Sequence, residues 1–258
     1  MQTYRKPVRC SRGMNAAADK KAVSPVISTV IITATLLIIL VVASSLAISM
    51  LEIQMQNSEF EQAKTAMLLL DRTIMDVSLR PGAASSVQFN QRSGGIGLYK
   101  GEVIKVEILS SSNTIWSRTV NSHMVKYRGG SMVSAAEANL TDPGGLIVDM
   151  SKPLGYIRIE SGNGAWIVLD YDRVRVTVNR EIGTMDIYLI RLEPGVFGGS
   201  GTVSVRVQNK EIKVESITLS ESNLTVRVEV GSKEAAYSPE FSISVVRVIE
   251  VAIMVSVA

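Results

Sequence analysis

The stretch that decides the fold is residues 22–51, AVSPVISTVIITATLLIILVVASSLAISML, in which no residue is charged. A transmembrane helix needs about 20 consecutive apolar residues, and this run is longer. The apolar region of an ordinary secretory signal spans only about 7–15 residues. Core helices of soluble proteins rarely exceed about 20 residues and usually keep a polar face. We therefore expect a membrane-spanning helix, or an apolar helix that becomes buried in an assembly.

A polar and basic segment, residues 1–22, precedes this run. Lys20 and Lys21 stand at its end, and basic residues keep the flank of a membrane segment in the cytoplasm. Ser24 is a suitable N-cap for a helix, and Pro25 suits its first turn, where the missing N–H is not needed. The segment is either a leader that is removed or a cytoplasmic tail that stays attached.

The junction KKAVSPVI, from Lys20 to Ile27, resembles the class III signal peptide of archaeal type IV pilins, and the resemblance covers about residues 18–60. It implies that a prepilin peptidase cuts between Ala22 and Val23 and that the apolar helix stays in the mature protein. Bacterial pilins have Glu at the fifth mature position, where this chain has Ile27, so the match is to the archaeal type. The processing residues that the resemblance implies are Lys20, Lys21, Ala22 and Val23.

The helix is predicted to continue beyond residue 51, because residues 52–80 contain neither Gly nor Pro. We expect it to end at Arg80-Pro81-Gly82, since the residue before a proline resists the α conformation. A helix of about 55 residues would be about 80 Å long. Charged residues, Glu59 and Asp71 among them, fill the positions outside the apolar stripe. That stripe consists of Ile53, Phe60, Ala63, Met67, Leu70, Ile74 and Val77.

An apolar first half followed by an amphipathic second half is what the resemblance implies for the single long helix of a pilin. In that case the first half packs against other subunits. The alternative is a transmembrane helix with a stalk whose stripe packs on its own head domain. Ala43 and Ala47 are four residues apart, and such pairs let helices approach closely in an apolar medium. The predicted assembly positions are Pro25, Leu36, Leu40, Ala43, Ala47 and Leu51.

From residue 83 onward the apolar residues alternate with polar ones, as in Val203, Val205 and Val207. Alternation over short runs between glycine-rich turns predicts an antiparallel β-sandwich. A phase shift within residues 211–219 predicts a β-bulge. Residues 241–258 are interrupted by Arg247 and Glu250, so we predict a buried terminal strand there and no second membrane helix. A neighbouring subunit or the stripe of the long helix would have to cover it.

The predicted fold class is therefore α+β, with one long N-terminal helix followed by a mostly antiparallel β-sandwich head. The predicted domains are a basic leader (1–22), a long helix (23–80, with 23–51 as its transmembrane or assembly half) and an extracellular head (81–258).

The charge distribution argues against nucleic-acid binding. The chain carries +3 overall, but residues 23–258 hold 21 basic and 23 acidic residues, because six basic residues precede Val23. The excess positive charge thus lies before the apolar run, where it indicates the cytoplasmic side of the membrane. The only cysteine, Cys10, lies in the leader, so the mature chain has no thiol for a disulfide or a metal site.

Little in the sequence points to catalysis, and we expect neither an enzyme nor a cofactor or metal. The only histidine, His123, lies in a turn-like stretch and is expected at the surface. Asp170 and Asp172 are two apart and are expected at a strand end, with their charge toward water. A cation site there would need several more oxygen ligands. The sequons at Asn139 and Asn223 are candidate glycosylation sites.

The resemblance implies a structural subunit, major or minor, of a type IV pilus-like filament. The chain would sit in the cell membrane with an extracellular head, and after assembly it would belong to a surface filament. Its partners would be the membrane, the prepilin peptidase, the assembly machinery and sister subunits. The alternative is a single-pass membrane protein that displays an extracellular β domain for binding or adhesion and does not polymerise.

Overall fold

The computed structural model describes residues 25–110, 113–219 and 224–257. It confirms the predicted α+β class: within these residues one helix is followed by thirteen strands in two sheets. The chain divides into two compact units between Ser49 and Met50, a boundary that falls inside the helix. The elements are α1 (Pro25–Ser78), β1 (Ala84–Gln91), β2 (Gly95–Ser110), β3 (Asn113–Arg128), β4 (Ala138–Asn139), β5 (Ile147–Val148), β6 (Tyr156–Glu160), β7 (Trp166–Asp170), β8 (Val174–Asn179), β9 (Thr184–Phe197), β10 (Gly201–Thr218), β11 (Leu224–Val230), β12 (Lys233–Tyr237) and β13 (Val245–Val257).

Helix α1 ends where the sequence predicts. Its last residue is Ser78, and the chain then turns through Arg80, whose carbonyl accepts a 3.1 Å hydrogen bond from the amide of Ala83. Gly82 has a φ of +73°, a conformation that residues with a side chain rarely adopt. Proline at position 81 and glycine at 82 therefore stop the helix and redirect the chain into β1.

The strands form a six-stranded sheet in the order β1-β10-β13-β9-β8-β5 and a seven-stranded sheet in the order β12-β11-β2-β3-β7-β6-β4. Neighbouring strands are antiparallel except in the pairs β13/β9 and β5/β8, which are parallel. The predicted alternation is confirmed on β10, where Val203, Val205 and Val207 are buried and the residues between them are not.

Two hydrophobic clusters hold the β-rich unit, residues 50–258, together. In the first, the apolar stripe of α1 packs against strands of both sheets. In the second, β2, β3 and β11 of the larger sheet pack against β8, β9 and β13 of the smaller one. On β13, Val246 and Val248 belong to the second cluster, whereas Val251 and Ile253 belong to the first. Because side chains alternate along a strand, the two clusters use opposite faces of this sheet.

The C-terminal apolar run is a strand, as predicted. β13 lies between β10 and β9 inside the six-stranded sheet. Its residues Val251, Ile253 and Val255 pack in the same cluster as the stripe of α1. The helix of the same chain, one of the two predicted candidates, therefore covers this strand. Arg247 lies near its start and forms a two-pronged ion pair with Asp186 on β9 at 2.6 and 2.7 Å.

The predicted position of the bulge in β10 is wrong. The pairing of β10 with β13 is continuous from Glu211 to Thr218, and its register shifts instead between Asn209 and Glu211. This shift has a structural use, because the buried Asn209 side chain donates hydrogen bonds to the carbonyl oxygens of Val77 (3.1 Å) and Ser78 (3.2 Å). The last carbonyl groups of a helix have no hydrogen-bond donor within the helix, and the side chain of Asn209 provides a donor for these two.

Several expectations about single residues were wrong. Ile53 belongs to the predicted apolar stripe but is 41% exposed. Glu59 and Asp71 lie outside the stripe, as expected of charged residues, yet both are buried, and each accepts a hydrogen bond from a tyrosine of the β-rich unit. His123 lies within strand β3 and is half-buried, with its Nδ1 3.0 Å from the carbonyl oxygen of Leu192.

Candidate functional site

The first half of α1 is the most unusual surface of the chain. Residues 26–51 are uncharged and almost all exposed, and an 18-residue window of the helix reaches a mean hydropathy of 2.9 with none of it buried. Among the described residues, this is the one helix that is long and apolar enough to cross a membrane. A helix that is hydrophobic on every side is stable only in lipid or inside a packed assembly.

Four of the seven hydroxyl groups within this apolar segment donate hydrogen bonds to the helix itself. The side chains of Thr29, Thr33 and Thr35 donate to carbonyl oxygens three or four residues earlier, at 2.8–2.9 Å, and Ser49 donates to Ser45 at 3.1 Å. An unsatisfied polar group costs several kcal/mol in hydrocarbon. These back-bonds therefore let these hydroxyls enter an apolar medium.

The predicted assembly positions share one face of this helix. Leu36, Leu40, Ala43, Ala47 and Leu51 follow one another at spacings of three or four residues, which places them in a single stripe. All five are exposed, the three leucines by 58–62%. In its middle this stripe carries two alanines, so another helix could approach closely there. Pro25 is the first residue of α1, as predicted.

The second half of α1 is fastened to the β-rich unit by buried polar contacts. The Glu59 carboxylate accepts hydrogen bonds from the hydroxyl of Tyr127 (2.8 Å), the hydroxyl of Ser93 (2.7 Å) and the amide of Gly94 (3.0 Å). The amide of Ser93 donates to it as well, at 3.1 Å. Burial, together with the hydrogen bond to this carboxylate, raises the pKa of Tyr127 far above its ordinary value, so the phenol stays a donor.

Further contacts follow along the same helix. The side chain of Gln56 accepts a 2.9 Å hydrogen bond from the amide of Met132. Tyr171 is fully buried and donates to the carboxylate of Asp71 at 2.5 Å. Its pKa is raised by burial first and then by the Asp71 charge. At the end of the helix, Tyr188 donates to the hydroxyl of Ser78 at 2.7 Å.

Sequence reasoning missed these polar contacts for an identifiable reason. Gln56, Phe60, Ala63 and Met67 continue one spacing of four, three and four residues, so Gln56 occupies a position of the buried stripe. This spacing was a usable signal for Gln56. Glu59 and Asp71 flank the stripe and look like ordinary surface charges. Their burial depends on tyrosines that are 68 and 100 residues away in the sequence.

Several predicted site residues lie outside the described residues: Lys20, Lys21, Ala22, Val23 and Asn223. Asn139, the other sequon, is exposed on the edge strand β4, and its side-chain oxygen accepts a 2.6 Å hydrogen bond from Tyr156. The hydroxyl of Thr141 in the same sequon accepts from the amide of Ile157 at 2.8 Å.

Asp170 and Asp172 border a cleft of about 540 Å³ together with Arg158 and Arg173. Contrary to expectation, Asp170 is buried rather than turned toward water, and it lies 3.5 Å from Arg158. Burial and then the charge of Asp172 raise the pKa of Asp170 to about 6, although Arg158 opposes the shift. In the described part of the chain, no group of three or more His, Cys, Asp or Glu residues could hold a metal ion.

The two tryptophans occupy different surroundings. Trp116 packs against the second cluster, and its indole donates to Glu215 at 2.8 Å. Trp166 is half-buried and borders a cleft formed with Tyr99 and Arg128.

Comparison with protein-family models, with curated proteins and with solved structures found no match.

Proposed function

We propose that the chain is a structural subunit of a type IV pilus-like surface filament, assembled through the first half of α1. The observation that carries this proposal is an uncharged helical segment, exposed on every side, in the same helix whose second half forms part of the core of the β-rich unit. A membrane anchor needs only about 20 apolar residues and no structural continuity with the domain it carries. Here both segments belong to one continuous helix, Pro25–Ser78, as the resemblance implies for a pilin subunit.

The proposed mechanism is an exchange of apolar neighbours. In the membrane the segment contacts lipid, and in a filament it contacts the same segment of sister subunits. Since lipid chains are as apolar as leucine, the transfer costs little, and close packing at Ala43 and Ala47 favours the assembled state. The prepilin peptidase would first remove residues 1–22 by cutting between Ala22 and Val23, as the resemblance to archaeal pilins implies.

Processing is tested by determining the mature N-terminus by mass spectrometry. We expect Val23 to be the first residue. The double variant K21E/A22E should abolish cleavage. The K6E variant also reverses the charge of a lysine, but away from the junction, and should leave cleavage intact. A membrane-embedded chain that keeps residues 1–22, or cleavage that is insensitive to K21E/A22E, contradicts the proposal.

Assembly is tested by substitutions that keep the helix apolar. Ala43→Leu fills the small-residue position on the stripe, and Ala34→Leu makes the same change nine residues earlier, on the opposite side of the helix. We expect Ala43→Leu to reduce the filaments seen by electron microscopy at least severalfold, while membrane insertion stays normal. Ala34→Leu should have a smaller effect. Equal effects would contradict packing through this stripe.

The alternative function is a membrane-anchored β domain that does not polymerise. The exposure of residues 26–51 on all sides is compatible with this alternative, because a single helix surrounded by lipid needs no face for packing against another helix. The same experiments separate the two functions. A solitary anchor produces no filaments with the unaltered chain, and neither alanine substitution changes its behaviour.

A further inference from the structure

A cleft lies on the face of the seven-stranded sheet that is opposite to helix α1. On β2, β3 and β7 the side chains that pack toward the helix are those of Leu98, Tyr127 and Ile167. Each of them has a neighbour in sequence that faces the other way, since side chains alternate along strands. These neighbours are Tyr99, Arg128 and Trp166, and they border a cleft of about 640 Å³.

Two aromatic rings form the wall of this cleft. The rings of Tyr99 and Trp166 lie 6.0 Å apart between centroids and meet at 88°. The guanidinium group of Arg128 stands over the Trp166 ring, 5.6 Å from its centroid. Tyr99 is 44% exposed, so its ring offers apolar surface to a ligand. Rings of this kind combine an apolar face with a polar tip and are common at binding surfaces.

The floor of the cleft is backbone rather than side chain. Gly94, Gly129 and Gly130 line it, and a Cβ atom on any of the three would collide with a neighbouring group. The loops that carry these glycines are fixed by hydrogen bonds to helix α1. The amide of Gly94 donates to the carboxylate of Glu59, and the amide of Met132 donates to the side chain of Gln56. The cleft is therefore formed in advance, and a ligand loses little affinity to loop ordering.

The polar groups of the lining define the ligand. Ser131 and Asn163 bring a hydroxyl and an amide group to the cleft, whereas the hydroxyl of Ser93 donates to Glu59. Arg128 is the one charged residue of the lining within the described chain. The carboxylate of Glu59 lies beneath the loop and is occupied by its four donors. A matching ligand has an apolar face for the rings, hydroxyls at its rim and a negative charge for Arg128.

We propose that this cleft binds a saccharide that carries a carboxylate. One face of a pyranose ring presents C–H groups, which pack on the aromatic wall, and its rim presents hydroxyls to Ser131 and Asn163. The carboxylate pairs with Arg128, whose planar guanidinium suits two parallel hydrogen bonds. This site goes beyond the proposed function, because it belongs to the β-rich unit and operates whether or not the chain polymerises.

The test uses the full chain in detergent micelles, with Trp116→Phe as background so that Trp166 is the only tryptophan. Oligomers of galacturonate and of glucuronate are titrated while the Trp166 emission is followed, with maltotriose as the neutral counterpart. We expect saturable changes with an acidic oligosaccharide and weaker binding of maltotriose. The Tyr99→Ala substitution should weaken the binding of both acidic and neutral sugars by about tenfold, because a ring contact is lost.

Arg128→Gln should lower the affinity for the acidic sugar to that for the neutral one. Ile115→Ala, at another exposed position on β3, should change neither affinity. Failure of every acidic oligosaccharide to bind overturns the proposal. So does binding that is unchanged by both Tyr99→Ala and Arg128→Gln, or a cleft that binds aromatic peptides and rejects the sugars. Tyr99 is exposed, so its removal leaves the fold intact, which thermal unfolding verifies.

Discussion

Replacing Glu59 with glutamine tests how the helix is held in the β-rich unit. The carboxylate accepts hydrogen bonds within 3.2 Å from four donors, two backbone amides and two hydroxyls, and Glu59 is only 7% exposed. A hydrogen bond to a charged group contributes about 1.5–3 kcal/mol. The amide of glutamine keeps one acceptor oxygen but turns an NH₂ group toward donors. We expect a loss of about 2–4 kcal/mol in the free energy of unfolding.

The assay is thermal unfolding of the full chain in detergent micelles, followed by circular dichroism. For a unit of this size, 1 kcal/mol corresponds to about 2–4 °C, so the melting temperature of the E59Q variant should fall by about 4–16 °C. Hydrogen exchange should also accelerate at the amides of Ser93 and Gly94, which lose their charged acceptor. In peptides from the second hydrophobic cluster, the exchange rates should increase less.

Glu61→Gln is the matched control. Glu61 lies on the same helix, but its side chain is exposed and pairs with Lys64 at 2.6 Å. An exposed pair of this kind contributes about 0.3–0.5 kcal/mol. Equal melting temperatures for the E59Q and E61Q variants would show that the buried carboxylate does not hold the helix, and the reasoning would be refuted.

Two further predictions concern the end of the helix and the cleft beside Arg158. Asn209→Ala removes the donor to the last carbonyls of α1, and we expect a loss of about 1–2 kcal/mol in thermal unfolding; Asn90→Ala, an exposed asparagine on β1, should cost less than half of that. Because the folded pKa of Asp170, about 6, is raised above its ordinary value, ionising this group opposes folding. As the pH rises from 4 to 7, the unaltered chain should therefore lose up to about 3 kcal/mol of stability relative to the Asp170→Asn variant. A stability difference that does not change with pH would contradict a raised pKa for Asp170.

Local sequence patterns predicted the regular elements well. The uncharged run of residues 22–51 and the spacing of Phe60, Ala63 and Met67 predicted the long helix and its buried stripe. Strict alternation predicted strands such as β10 and β11, and the two charges in residues 241–258 argued correctly for a strand. These inferences succeed because helix and strand periodicity are carried by residues close together in the chain.

The candidate site was only partly predictable. The exposed stripe from Leu36 to Leu51 follows from composition and spacing alone. The aromatic cleft does not, because Tyr99, Arg128 and Trp166 come from three strands and meet only through the pairing register of those strands. That register includes a bulge between Lys100 and Val103, where Gly101 lies. An isolated glycine within a strand pattern suggests a bulge, but it does not indicate which side chains the strands bring together.

The sequence by itself therefore determined that this protein has a long apolar helix, where the helix ends and that strands with alternating side chains follow it. Only the tertiary structure decided that Glu59 and Asp71 are buried, that Asn209 completes the helix end, and that β13 runs parallel to β9. The physical reason is that a charge or an amide can be buried only where distant groups satisfy its hydrogen bonds, and the chain brings those groups together only by folding.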